Sequence, residues 1–306
     1  MKKAIKSILR PIWSSIYNWT LSIIGMISPK TLAGIRYKRG FNKTINWEHP
    51  HDINEKINWL KFHSDTSEWT RLADKYRVRE YVCSCGLEEM LVKLYGKWNN
   101  AKDIDWECLP NEFIIKTNNG SGDVFICKNK DDINIKDVVK HFNKLLHSKF
   151  GNYMGEPHYN KIKPCIIAEE LLDAKKQAIE SSSLVDYKIW AFDGKPAYIW
   201  ACHNRTPHSV VVGLYDLEWN FHPEYSISTP HYILSDSPIP KPQSLKRMLQ
   251  AAAILSKGFP ELRVDLYEVD GKPYFGELTF SSAAGFNDFY TEEFLGILGD
   301  LANINV

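Results

Sequence analysis

Two acidic residues near the end of the chain, Asp265 in RVDLYEV and Glu277 in YFGELTF, sit on alternating runs separated by Asp270-Gly271-Lys272. Alternation places Arg263, Asp265 and Tyr267 on one face of the first run and Phe275, Glu277 and Thr279 on one face of the second. A three-residue turn would set 265 directly opposite 277 and gather Arg263, Asp265, Glu277 and Thr279 into one polar patch. A two-residue turn would pair 265 with 276 and send the carboxylates to opposite faces. Paired carboxylates are hard oxygen donors, and supplemented by phosphate oxygens they form the set that Mg²⁺ takes in nucleotide sites. A solvated sheet face carrying an Arg263 ion pair would give the same pattern.

Two further segments carry chemistry. In FIIKTNNGSGDVFI a strand ends on Lys116 and opens into Asn118, Asn119, Gly120, Ser121 and Gly122. That loop offers backbone N–H groups and an ammonium to a polyphosphate. It has neither GxxxxGK[ST] nor GxGxxG spacing, so on its own it also fits an ordinary turn. In IIAEELLD the adjacent Glu169 and Glu170 point to opposite faces of a β run, and both cannot be core. An edge strand would tolerate them. So would a hinge at Glu169, Glu170, Leu171 and Leu172 whose backbone meets an adenine, with Asp173 reaching a ribose.

The elements that must position these groups read as α+β with mainly antiparallel sheets. Helices are expected over Asp52–His63, N-capped by Asp52 with Glu55 three residues on, over Thr70–Cys83, over Lys136–His147 and around Leu245–Leu255, stopped by Gly258 and Pro260. Strands are expected at Phe113–Lys116, Val124–Cys127, Cys165–Leu172, Val185–Phe192, Ala197–Cys202 and Ser209–Tyr215, ahead of the final hairpin. The 306 residues carry 38 Lys plus Arg against 37 Asp plus Glu, so no overall field exists to hold nucleic acid. Six cysteines without a CxxC pair argue against a disulfide scaffold and point to reduced thiols in a cytosolic compartment. No HxxxH or CxxC…H spacing supports zinc.

Charge is nonetheless uneven: Met1 to Trp47 holds nine basic residues and no Asp or Glu. Within it Ile5, Ile8, Leu9, Ile12, Ile16, Trp19, Ile23 and Ile27 recur at helical steps among Ser, Asn and Thr. The stripe suits a helix lying on an anionic cytoplasmic leaflet through residues 1–28; packing on the protein's own core, or insertion or export, are the alternatives.

In order and spacing, Lys75 in LADKYRVREYV, Lys116 with its glycine loop, EELLD, Lys188 in DYKIWAFDGKP and RVDLY…FGELTF resemble the ATP-grasp superfamily. HPHDINEKINWLKFH together with these segments is similar to the TupA-like ATP-grasp proteins of polysaccharide biosynthesis, over roughly Trp47 to Phe289. The resemblance implies an ATP-grasp fold of two α+β lobes, with a basic arm at 1–47, a helical region at 48–112, a lid lobe at 113–172 and a core lobe at 173–306. It implies ATP and Mg²⁺ as cofactors, with Lys75, Lys116 and the loop on the phosphates and Asp265, Glu277 and Thr279 on the metal. Thr279 departs from the Glu-x-Asn pattern of the superfamily, which points to a weaker or water-mediated third ligand. Arg263 is the candidate for stabilising the transferred phosphoryl group, and Lys188 and Arg205 for the acceptor carboxylate. Ser281, Ser282 and Gly285 are candidates for substrate contact, and Asp186 reads as Lys188's neighbour in a surface turn. The implied reaction joins a carboxylate, such as a glycan-borne or nucleotide- or lipid-linked uronic acid, to an amine through an acyl phosphate. A glycan phosphotransferase and a glycosyltransferase or assembly protein of a polysaccharide locus stay open.

Overall fold

The computed structural model describes residues 19–304. The predicted stripe from Ile5 to Ile16 therefore lies outside the described residues.

Strands β1 (Leu94–Trp98), β2 (Phe113–Thr117), β3 (Val124–Cys127) and β4 (Ile166–Glu169) form an antiparallel sheet in the order β1-β4-β2-β3. In β2 alternation sends Phe113 and Ile115 into the core. There they meet Ile166, Ala168 and the Val138 and Phe142 face of the helix Ile135–Leu146. Phe142 is fully buried, and truncating such a ring to alanine typically costs about 3–5 kcal/mol.

A second sheet contains β5 (Asp186–Phe192), β6 (Lys195–His203), β7 (Val210–Tyr215), β8 (Tyr232–Leu234), β9 (Leu262–Val269) and β10 (Lys272–Thr279), in the order β10-β9-β5-β6-β7-β8. Its pairings are antiparallel except β7 with β8, which is parallel. Ile189, Val264 and Leu266 pack against Met248, Ala252 and Leu255 of the helix Leu245–Leu255. Trp190, Trp200 and Val212 cluster instead with Ile53 and Ile57 of the helix Ile53–His63 and Phe294 and Leu298 of the helix Glu292–Leu301.

The helix Ile53–His63 starts where its caps require. Asp52 accepts from Glu55 N at 2.9 Å, and the Glu55 carboxylate turns back to accept from His51 N and Asn46 N, each at 2.9 Å. The helix expected over Thr70–Cys83 is instead two, Ser67–Leu72 and Val78–Ser84. Between them Asp74 Oδ1 accepts from Tyr76 N and Arg77 N, so a local side-chain turn replaces helical pairing. The strand expected over Cys165–Leu172 stops at Glu169.

Strand β1 pairs with β4, so the lobe built on the smaller sheet takes in residues N-terminal to the expected boundary at 113. Part of the basic arm belongs to the body: the helix Pro29–Phe41, capped by Ser28, buries Leu32, Ala33 and Tyr37. Among the described residues no helix is long and apolar enough to cross a membrane.

Candidate active site

The β9–β10 hairpin turns on two residues, Asp270 and Gly271, whose φ values of 52° and 69° are those of a tight hairpin turn. The three-residue turn is thus corrected. Simple counting from Val269↔Lys272 would pair 265 with 276, but a bulge between Phe275 and Glu277 takes up one residue and restores Asp265↔Glu277. The extra residue is Gly276, where a Cβ would lie 2.8 Å from the Asp265 carbonyl oxygen and 3.0 Å from Tyr267 Cε2. The bulge also corrects the expected face of Phe275, which pairs with Leu266 and joins the core.

Cations surround the two carboxylates. Arg263 donates to Asp265 through Nε at 2.7 Å and Nη2 at 2.8 Å, to Thr279 Oγ1 at 3.1 Å and to Ser282 Oγ at 2.8 Å. Lys188, opposite Asp265 on β5, places Nζ 2.5 Å from both Asp265 Oδ2 and Asp186 Oδ2. Burial pushes the Lys188 pKa down, but the two aspartates outweigh it and hold the lysine protonated, above its ordinary value. Asp186 is no surface-turn residue: it opens β5, is 8% exposed and has its pKa raised by burial against the pull of Lys188. Lys75, from the turn between the two short helices, donates to Glu277 Oε2 at 3.0 Å and to the Gly120 carbonyl at 2.9 Å. Burial opposes ionisation of Glu277, yet Lys75, Lys188 and Arg263 bring its pKa down to about 2.

Lys75, Asp186, Lys188, Arg263 and Glu277 floor a cavity of about 680 Å³ between the sheets, a size usual for small-molecule sites. On the smaller-sheet side its walls include Ile114, Lys116, Ser121, Gly122 and Leu172; on the other they include Trp200, Arg205, His231, Tyr232 and Phe289. The remaining residues singled out from sequence fall into two groups. Lys116 reaches the cavity, paired with Glu169 at 2.6 Å, and Arg79 holds the same carboxylate at 3.3 Å. Glu170 and Ser281 also line it, whereas Asn118, Asn119, Gly120, Leu171, Asp173, Asp265, Ser282 and Gly285 do not. Asn118 is stitched to the segment that leads into β4, accepting from Cys165 N at 2.7 Å and donating to the Lys163 carbonyl at 3.1 Å. Asp173 accepts from Lys175 N at 3.0 Å as the cap of a short turn. Ser282 braces Arg263, and Asp265 lies beneath the cations that it holds.

Sequence reasoning missed the support behind Ser281. Ala283, Ala284 and Gly285 all have positive φ, and Ala283 and Ala284 line the cavity. One face of the helix Ile53–His63 holds this turn. Asn58 donates to the Gly285 carbonyl at 2.9 Å, Lys61 to the Ala284 carbonyl at 2.7 Å, and Asn54 Oδ1 accepts from Asn287 Nδ2 at 2.7 Å. Glu156 accepts from Ser281 Oγ at 2.6 Å and lines the cavity. The visible signal was an Asn54, Asn58, Lys61 spacing that aligns three polar residues on one helix face.

Among the described residues no three His, Cys, Asp or Glu side chains group as a metal cage. The cavity nevertheless fits a hard cation bound together with a polyphosphate: Glu277 is held ionised and faces it beside Thr279, and several cations offset phosphate charge, while both Asp265 oxygens are taken by Arg263 and Lys188.

None of the curated proteins compared matches the sequence. Among solved structures, D-alanine–D-alanine ligase from Bacillus anthracis, complexed with ATP, shows 15% identity and a TM-score of 0.42 over 76% of this chain and 65% of that one. L-amino acid ligase from Bacillus licheniformis shows 12% and 0.45 over 82% and 54%. D-alanine–D-alanine ligase from Helicobacter pylori shows 13% and 0.42 over 82% and 66%. The chain thus spans under two thirds of each of these proteins. The family described as TupA-like ATPgrasp matches residues 55–303, from the capped helix through the β9–β10 hairpin to the C-terminal helix, and the chain belongs to that family.

Proposed function

We propose that the protein is an ATP-dependent carboxylate–amine ligase that acts on a uronic acid of a cell-surface polysaccharide or its nucleotide- or lipid-linked precursor. The observation that carries the reading is the Glu277 carboxylate, opposed to Asp265 across the bulged hairpin and facing a cation-lined cavity. Membership of the TupA-like ATPgrasp family supports it.

In this reading Glu277 and Thr279 would hold Mg²⁺, with Asp265 beneath them fixing Arg263 and Lys188, and ATP would lie along the smaller sheet. Magnesium-bound ATP would supply the phosphoryl group that turns an acceptor carboxylate into an acyl phosphate, from which an amine displaces phosphate to leave an amide. Lys75 and Lys116 offset phosphate charge, and Ser121 and Gly122 at the tip of the loop cover it and exclude water. Arg263, pinned by Asp265, Thr279 and Ser282, presents a fixed guanidinium where charge develops. Arg205, whose side chain is 45% exposed and only 3.8 Å from Asp186 Oδ2, is free to turn toward an acceptor carboxylate. Lys188, held by two aspartates, orients the floor and lends its charge to the same group. The hinge Glu169–Leu172 takes the adenine through its backbone, with Leu172 against the ring, and Ser281 and the turn to Gly285 shape the acceptor end.

Purified protein given Mg-ATP, glucuronate and hydroxylamine is expected to form a hydroxamate, because hydroxylamine traps an acyl phosphate. ADP release with phosphorylated glucuronate and no hydroxamate would replace the ligase by a phosphotransferase. No thermal shift with Mg-ATP would remove both readings.

A further inference from the structure

We infer that the outward face of helix 19–27 rests on an anionic phospholipid surface and holds one wall of the cavity beside it. This inference does not depend on the reaction proposed above. The helix has two faces with different fates. Inward, Leu21 is 3% exposed, and Gly25 lies so close to the body that a Cβ there would sit 2.0 Å from the Asn152 carbonyl oxygen. Outward, Trp19, Met26 and Ile27 are 67%, 66% and 76% exposed, and with Ile23 they follow the i, i+4, i+7, i+8 spacing of one helix face. An indole and two long apolar side chains turned out together would sit in the headgroup and acyl boundary of a bilayer.

Charge selects the occupant. From Met1 to Trp47 the chain has nine basic residues and no acidic one, and among the described ones Lys30, Lys38 and Arg39 are exposed. Such a segment complements an anionic leaflet, where each added cation near the surface favours adsorption. The apolar spacing continues in the sequence at Ile5, Ile8, Leu9, Ile12 and Ile16, beside Lys2, Lys3, Lys6 and Arg10.

Position gives the contact its consequence. The body segment under Gly25 belongs to the short helix Phe150–Met154, and Phe150 and Met154 line the cavity. The Arg36 guanidinium lies 4.3 Å from the centre of the Tyr153 ring, so the helix Pro29–Phe41 clamps the same segment. Adsorption through the outward face therefore holds the cavity wall beside the bilayer.

The test is flotation of the full chain with phosphatidylcholine vesicles that contain or lack phosphatidylglycerol. The wild type should float with the anionic vesicles, stay behind with neutral ones, and be released by salt. The triple variant Trp19→Ser, Met26→Ser, Ile27→Ser, which changes only exposed side chains, should keep the wild-type melting temperature and lose at least about tenfold in partitioning. Wild-type protein that fails to float, variant protein that floats equally well, or equal binding to neutral vesicles would each overturn the inference. So would a wild-type dimer, lost in the variant, that ignores vesicles; it would assign the face to a second copy.

Discussion

Replacing Lys188 by methionine keeps the aliphatic stem and removes one charge from the cavity floor. Lys188 Nζ stands 2.5 Å from Asp186 Oδ2 and 2.5 Å from Asp265 Oδ2, and these aspartates are 8% and 1% exposed. In the variant Asp265 keeps Arg263 at 2.7 Å, whereas Asp186 keeps only Arg205 at 3.8 Å. One buried carboxylate is thus stranded, which costs about 3–5 kcal/mol. The sign of the pH dependence follows. Burial already raises the Asp186 pKa above 3.8, and losing Lys188 removes the largest influence that lowers it. A carboxyl whose folded value lies above its unfolded value binds a proton more readily in the folded state, so its penalty is full above the folded value and fades as pH falls toward the unfolded one. Urea denaturation of wild type and variant should therefore differ by the full amount at about pH 8 and by clearly less at about pH 5. A difference below about 1 kcal/mol, or one equal at both pH values, would refute the argument, because that is how a solvated surface pair behaves.

Gly276→Ala should destabilise the fold by about 1–3 kcal/mol in urea denaturation, since its Cβ would press on the Asp265 backbone, and should weaken Mg-ATP binding at least as much as stability. An unchanged nucleotide affinity would show that the bulge does not set the carboxylate pair. Lys61→Met tests the support of the positive-φ turn. Burial drops the Lys61 pKa from 10.5 to about 8 despite Glu156, so wild-type stability gains from this lysine as pH rises from about 8 toward 10.5. The variant should lack that gain, and parallel wild-type and variant stability profiles over this range would contradict it.

The final hairpin was legible because alternating residues and a turn tripeptide specify a strand pair strongly. Its register was not: the opposition of Asp265 and Glu277 was expected from a three-residue turn, but it arises from a two-residue turn and a bulge that offset each other by one position. Nothing in YFGELTF distinguishes the bulging Gly276 from a plain strand glycine except the carbonyl that it approaches, which is a tertiary fact. The helix Ile53–His63 was readable from its cap, while the break at Ala73–Arg77 depends on an Asp74 turn hidden in a helix-compatible pattern. Strand β1 and the helix Glu292–Leu301 escaped because LYGKW carries little alternation and EEFLGILGDL contains two glycines. Of the candidate residues whose side chains meet the cavity, Arg263, Glu277 and Thr279 came from alternation next to a turn, whereas Lys75, Lys188 and Arg205 came only with the family resemblance. Asn118, Asp173 and Ser282 have the polarity of ligand contacts, but their hydrogen bonds go to the protein itself, and sequence alone does not separate those uses.

In the proposed reading Glu277, opposed to Asp265, makes nucleotide binding depend on magnesium. The most direct measurement is calorimetric titration of a non-hydrolysable ATP analogue into wild type and Glu277→Gln, each with magnesium and with EDTA. Magnesium is expected to tighten wild-type binding at least about tenfold, and Glu277→Gln, with its melting temperature preserved, to lose most of that gain. Equal affinities with magnesium and with EDTA, or a magnesium gain in Glu277→Gln as large as in wild type, would contradict it.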